Sequence, residues 1–138
     1  MNQPSEKTIE VLLIKPLKAP KVIEITPELK DMQQLVGGDI EEYAPFDDEV
    51  VIICNDEGKL NGLPLNRAVY DEKGEMLDII AGDFFLTYAP LTSESFESLP
   101  EKLKEKHAEK FHDPERFFRT NEGIKAVPFK PKTQDISL

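Results

Sequence analysis

The chain is predicted to be a single α+β domain: a mainly antiparallel sheet, one helix packed on it after the second strand, and a helical C-terminal lid. Three observations predict this. Short runs rich in Val, Ile, Leu and Phe recur at Ile9–Ile14, Val50–Cys54, Met76–Ile80 and Phe84–Tyr88, bounded by Gly, Pro, Asn or Asp. Two turns of the same make, Asn55-Asp56-Glu57-Gly58-Lys59 and Asp71-Glu72-Lys73-Gly74-Glu75, follow such runs, as expected where antiparallel strands double back. Helical spacing of apolar residues stands out at Leu29-Met32-Leu35-Val36 and at Leu99-Leu103-His107-Phe111.

Each element follows from these patterns. Ile9–Ile14 is a strand, and Pro16–Pro20 turns the chain into a second strand at Val22–Ile25, so the two pair as a hairpin. Thr26-Pro27 starts a helix, with Thr26 as the cap, Pro27 in the first helical position and Glu28 and Asp31 at the positive end. Gly37-Gly38 ends it. Asp39–Tyr43 is a strand broken by Pro45. Val50–Cys54, apolar throughout, is a strand buried on both faces. Gly58 is placed for a positive φ in the turn that follows. Arg67–Tyr70 and Met76–Ile80 form a second hairpin around Gly74, and Gly82-Asp83 kinks the chain before Phe84. Ser98-Leu99-Pro100-Glu101 has capping-box spacing and opens a helix to Phe111; Asp113-Pro114-Glu115 opens a further helical turn carrying Phe117 and Phe118. Ile124–Phe129 is a last strand. The domain therefore runs from 8 to 129, with a disordered N-terminus at 1–7 and a flexible tail at 130–138.

Composition narrows the function classes. The 138 residues carry a net charge of −10, from 17 Lys and Arg against 27 Asp and Glu. Residues 1–100 hold 8 basic and 20 acidic side chains, a balance of −12, and residues 101–138 hold 9 and 7, a balance of +2. An acidic body repels phosphate backbones, so no nucleic-acid partner is expected. Acidity also suits a solvated surface, or a mimic of nucleic acid aimed at a basic protein. A single cysteine, Cys54, excludes a disulfide within the chain and fits a reducing compartment. With no signal-peptide pattern and no long apolar run, the expected location is the cytoplasm, with no membrane partner.

Chemistry-bearing residues concentrate in the segment between the two acidic turns. Asn55, Asn61, Asn66 and Arg67 offer amide and guanidinium donors of fixed geometry, suited to a small anionic ligand or to a partner protein. The other reading is that the asparagines tie down their own turns and Arg67 pairs with a carboxylate. No glycine-rich phosphate loop is present. His107 and His112 are the two histidines and lack metal-ligand spacing, so no metal and no cofactor are expected. Cys54 lies among apolar residues that hide its thiol, and Ser93, Ser95 and Ser98 read as capping residues, so no catalytic residue is assigned. Phe111, Phe117, Phe118 and Phe129 form either the underside of the lid or an exposed patch for a partner; edge strands and this cluster leave a homodimer open.

Four motifs taken together, Leu35-Val36-Gly37-Gly38-Asp39-Ile40-Glu41, Val51–Lys59, Gly62-Leu63-Pro64-Leu65-Asn66-Arg67-Ala68 and Ile79–Phe85, are similar to those of a family of small proteins with a domain of unknown function. So is Phe111–Arg119. The resemblance covers about Thr8 to Phe129 and implies an accessory protein of Gram-positive bacteria, their phages and conjugative elements. It brings no catalytic residues, and it draws attention to Asn55, Gly58, Gly62, Pro64, Asn66, Arg67 and Gly82. The expected function is that of a small non-catalytic binding protein acting through the 55–67 loop. An acidic inhibitor that mimics nucleic acid and a nucleotide-processing enzyme are the alternatives.

Overall fold

A computed structural model describes residues 7–131. The expectations for the two tails, 1–7 and 130–138, fall outside the described residues except at their innermost positions. Among the described residues, nine strands and two helices follow in the order β1 (Ile9–Ile14), β2 (Lys21–Ile25), α1 (Leu29–Val36), β3 (Ile40–Tyr43), β4 (Val50–Asn55), β5 (Leu65–Tyr70), β6 (Met76–Ala81), β7 (Phe84–Tyr88), α2 (Glu101–Lys110), β8 (Glu115–Thr120) and β9 (Gly123–Pro128). The architecture is α+β and the sheet antiparallel, as the run lengths and turns predict.

Five strands form the central sheet in the order β2-β1-β7-β4-β3. The most apolar strands take the inner positions, because only there are both faces covered. Side chains alternate across the sheet. Ile9, Val11, Leu13, Val51, Ile53 and Phe85 face α1, which lays Met32 and Val36 on them. Leu12, Ile14, Val50, Ile52, Cys54, Phe84 and Leu86 face the other way. There they meet Val69 and Ile80 from the β5–β6 hairpin, and Leu99 and Phe111 from the two ends of α2. Fully burying one such side chain contributes ~1.5–3 kcal/mol, so this double-faced sheet carries most of the apolar stabilisation. Leu99, His107 and Phe111 are all buried, but only His107 lies within α2; Leu99 precedes its N-cap and Phe111 is its C-cap.

Several local expectations are corrected. Helix α1 starts at Leu29 with Glu28 in the cap position, and Thr26 instead donates its hydroxyl hydrogen to the Asp31 carboxylate. Ser98 does not cap α2, whose N-cap is Pro100; its hydroxyl accepts the Glu10 N–H at 2.8 Å and fastens the lid segment to β1. Gly58 has no positive φ, unlike Gly74 at 83°. Its requirement is space: a Cβ there would sit 2.8 Å from the Ala81 carbonyl oxygen. Gly82-Asp83 is more than a kink, since the chain there leaves the β5–β6 pair and enters the central sheet as β7. The segment after Asp113 is not helical. It forms a β8–β9 hairpin in which Glu115 turns inward to accept the Ala68 N–H at 2.7 Å.

Candidate functional site

Asn66 and Arg67 lie on β5 rather than in a loop, and both are buried. The Arg67 guanidinium donates to three carbonyl oxygens from two distant segments. Nε and Nη2 reach Phe111 O at 3.1 and 3.0 Å, Nη2 reaches Lys18 O at 2.5 Å, and Nη1 reaches Lys15 O at 3.5 Å. Nη1 also donates to Asn66 Oδ1 at 2.9 Å, and Asn66 Nδ2 donates to Ile14 O at 2.9 Å and Gly82 O at 2.8 Å. Burial pulls the Arg67 pKa down to about 10, against the opposing charges of Glu115 and Asp113, which leaves it protonated at neutral pH. The fork thus ties the β1–β2 turn to the C-terminal end of α2, and its donors are occupied within the fold.

Asn55 ends β4. Its Oδ1 accepts the Glu57 N–H at 2.8 Å and its Nδ2 donates to Val36 O at 3.2 Å, so it joins the turn after β4 to the last turn of α1. Asn61 is exposed in the loop, where its backbone N–H bonds Glu57 O at 2.9 Å. The fold therefore separates the four residues. Asn66 and Arg67 form one buried pair, Asn55 stands at the other end of the loop, and Asn61 points to solvent.

What the loop does enclose is a cleft of about 210 Å³ between the turn after β4 and strand β6, with Asn55 in its wall. Glu41, Asp56, Glu57 and Asp78 line it, and Lys59 bridges to Asp78 at 2.6 Å. The register explains the cluster: Glu41 is paired with Cys54 across β3–β4, on the sheet face that the β5–β6 hairpin covers. The Cys54 thiol reports the local field. Burial first, then the charges of Glu41, Asp78 and Asp56, push it up to about 12. Tyr43 is also raised, by burial and by Asp78 and Glu41. Such a site disfavours anions, including a thiolate, and favours a cation that can donate hydrogen bonds to the carboxylates. Asp56 and Glu57 are visible as an acidic turn. Glu41 and Asp78 join them only through strand pairing, and no local pattern announces that.

A second polar cluster holds the lid. His107 is fully buried, with Nε2 2.8 Å from Asp48 Oδ2, and Lys106 Nζ reaches the same oxygen at 2.8 Å. Burial works to raise Asp48, but the hydrogen bonds from Lys106, His107 and the Val50 N–H outweigh it and bring Asp48 down to about 2. His107 Nδ1 is buried without a partner, and burial lowers the ring's pKa. A charged ring would leave a buried N–H unpaired, so the neutral tautomer donating through Nε2 to Asp48 fits. Among the described residues, no group of three His, Cys, Asp or Glu side chains is placed to hold a metal ion, and no helix is long and apolar enough to cross a membrane.

Residues 9–112 match the domain of unknown function DUF3846. The chain belongs to this family. No curated protein and no solved structure gives a significant match to it. The DUF3846 match ends just after α2, so it contains the central sheet, the acidic cleft, Arg67 and the Asp48–His107 pair, whereas the β8–β9 hairpin lies beyond it.

Proposed function

We propose that this DUF3846 protein is a non-catalytic binding protein whose cleft beside Asn55 takes a basic side chain of a partner protein. One observation carries the reading: Glu41, Asp56, Glu57 and Asp78 converge on a concave site in which Lys59 is the lining cation and is itself paired. A Lys or Arg group entering the cleft gains charge-assisted hydrogen bonds without displacing an existing cation from every carboxylate. The acidic cleft favours a cationic occupant over the anionic one that the sequence suggests, because Asn66 and Arg67 direct their donors inward. Asn55 keeps a place in this reading as part of the cleft wall, whereas Asn61 is exposed on the loop outside the lining. The resemblance of its motifs supports a wider setting, the cytoplasm of a bacterium that carries a phage or mobile element.

Amide chemical shifts followed during titration with an oligolysine peptide test the proposal. Shifts concentrated at Asp56–Leu60 and Asp78–Ala81, absent with oligoglutamate and lost in Glu41→Gln/Asp78→Asn, are expected. Shifts spread evenly over the acidic surface would replace the cleft with diffuse charge attraction. That outcome belongs to the nucleic-acid mimic, and moderate salt would abolish it.

A further inference from the structure

Strand β3 closes one end of the central sheet, and among the described residues no strand pairs with its outer side. The register fixes which backbone groups that side presents. Ile40 lies opposite Asn55, and at the next pair along the ladder the Asp56 N–H donates to Asp39 O at 2.8 Å. Hydrogen-bonded pairs alternate along an antiparallel ladder, so Asp39, Glu41 and Tyr43 direct their N–H and C=O groups to β4. Those of Ile40 and Glu42 point away from the sheet. Side chains alternate as well, one to each face. Glu41 lies in the acidic cleft, on the face where Tyr43 packs. Glu42 lies on the α1 face with Ile40, in a groove of about 500 Å³ whose charged lining residues are Glu42 and Glu94. An open row of backbone donors and acceptors thus runs between two acidic depressions, one on each face of the sheet.

We propose that β3 is a docking edge for a basic, extended segment of a partner protein, which adds to the central sheet as a further strand. Resting on the reading of the cleft as a site for basic side chains, this edge supplies the conformation in which they arrive. A strand laid beside β3 sits ~4.8 Å from it, and its alternate side chains fall on opposite faces. A Lys or Arg on one face enters the cleft beside Glu41, and its neighbours along the segment pass over Glu42 on the other. Backbone hydrogen bonds to Ile40 and Glu42 hold the segment, and the two depressions select its charge. The same charges disfavour a second copy of this chain, because two β3 edges brought together would crowd their Glu41 and Glu42 carboxylates. The other end of the sheet has no such selectivity, since β2 carries one charge of each sign, Lys21 and Glu24.

Amide hydrogen exchange, followed residue by residue by NMR on the full chain, tests strand addition with a peptide of alternating lysine and threonine. Exchange at Ile40 and Glu42 is expected to slow roughly tenfold when the peptide is at about ten times its Kd, because only the free fraction then exchanges. The amides of Glu41 and Tyr43, already bonded to β4, should change less. The same peptide with every backbone amide N-methylated keeps its lysines and loses its donors, so it should bind about tenfold more weakly or worse. Glu42→Pro removes an outward N–H and should weaken binding well beyond Glu42→Gln, which removes the charge alone. Melting temperatures check that both variants keep the fold, and the N-methylated peptide decides the matter if the proline variant does not. Unchanged exchange at Ile40 and Glu42 at saturation, or equal binding of the N-methylated peptide, overturns the proposal. If the peptide still shifts Asp56–Leu60 and Asp78–Ala81, lysine enters by its side chain alone, and only the added strand fails. If those shifts are absent too, the cleft reading fails with it. Protection of Ile40 and Glu42 that rises with protein concentration in the absence of peptide would give the edge to a second copy, and overturns the proposal as well.

Discussion

Replacing Arg67 by alanine is expected to destabilise the protein by ~3–5 kcal/mol, the range seen when one partner of a buried charged network is removed. The magnitude follows from what the guanidinium holds. Its departure leaves Phe111 O, Lys18 O and Asn66 Oδ1 without their short partners, and it empties a side-chain volume that is 1% exposed. Each buried acceptor left unpaired costs about 1–3 kcal/mol, and the cavity adds to that. For a domain of this size the loss corresponds to a melting temperature lower by roughly 10–20 °C. Arg67→Lys keeps the charge but cannot reproduce a fork that reaches Phe111, Lys18 and Asn66 at once, so it should recover less than half of the loss. Urea unfolding followed by far-UV circular dichroism measures both variants; the chain contains no tryptophan to follow by fluorescence. A value for Arg67→Ala within about 0.5 kcal/mol of wild type, the range of ordinary surface changes, would refute the reasoning. Arg67 would then be free to serve a ligand, as its sequence context suggests.

The remaining predictions concern acid stability, the thiol and one turn. Asp48 is held at about 2 against a usual 3.8, so its contribution to stability is complete above 3.8 and is lost as pH falls toward 2. His107 is lowered from 6.5, so the unfolded chain takes up that proton first and stability starts to fall as pH drops below 6.5. His107→Gln should flatten the higher part of the pH–stability curve and Asp48→Asn the lower part; curves parallel to wild type would contradict both assignments. Native Cys54, buried and with its pKa pushed up to about 12, should react with an aromatic disulfide reagent far more slowly than in urea, and equal rates would place it on the surface. Gly58→Ala should cost ~1–3 kcal/mol in chemical denaturation, because the new methyl would press on the Ala81 carbonyl; an unchanged midpoint would show that the turn gives way.

The strands were legible because their signal is local. Val50–Cys54 is apolar in continuous sequence, and a short run of that kind needs cover on both faces wherever it lies. The paired acidic turns and the spacing of Leu99, His107 and Phe111 are local in the same way. Misreadings arose where a distant partner outbid a neighbour. Asp113-Pro114-Glu115 looks like a helix start, but the Glu115 carboxylate is taken by Ala68, 47 residues earlier, and the chain continues as a strand. Asn66 and Arg67 look like solvent-facing donors because both are polar beside a Pro-marked bend, yet their partners at Ile14, Lys18 and Phe111 lie 44–52 residues away. Glu41 and Asp78 belong to one cleft only after β3 has paired with β4 and the β5–β6 hairpin has folded over that face. The sequence by itself determined the α+β class, the positions of the apolar strands and the segment beside which a cleft forms, since propensity and periodicity act within a few residues. Tertiary structure alone decided which polar groups are buried and satisfied and which converge facing solvent, because a hydrogen bond or a shared electrostatic field depends on distance in space rather than along the chain.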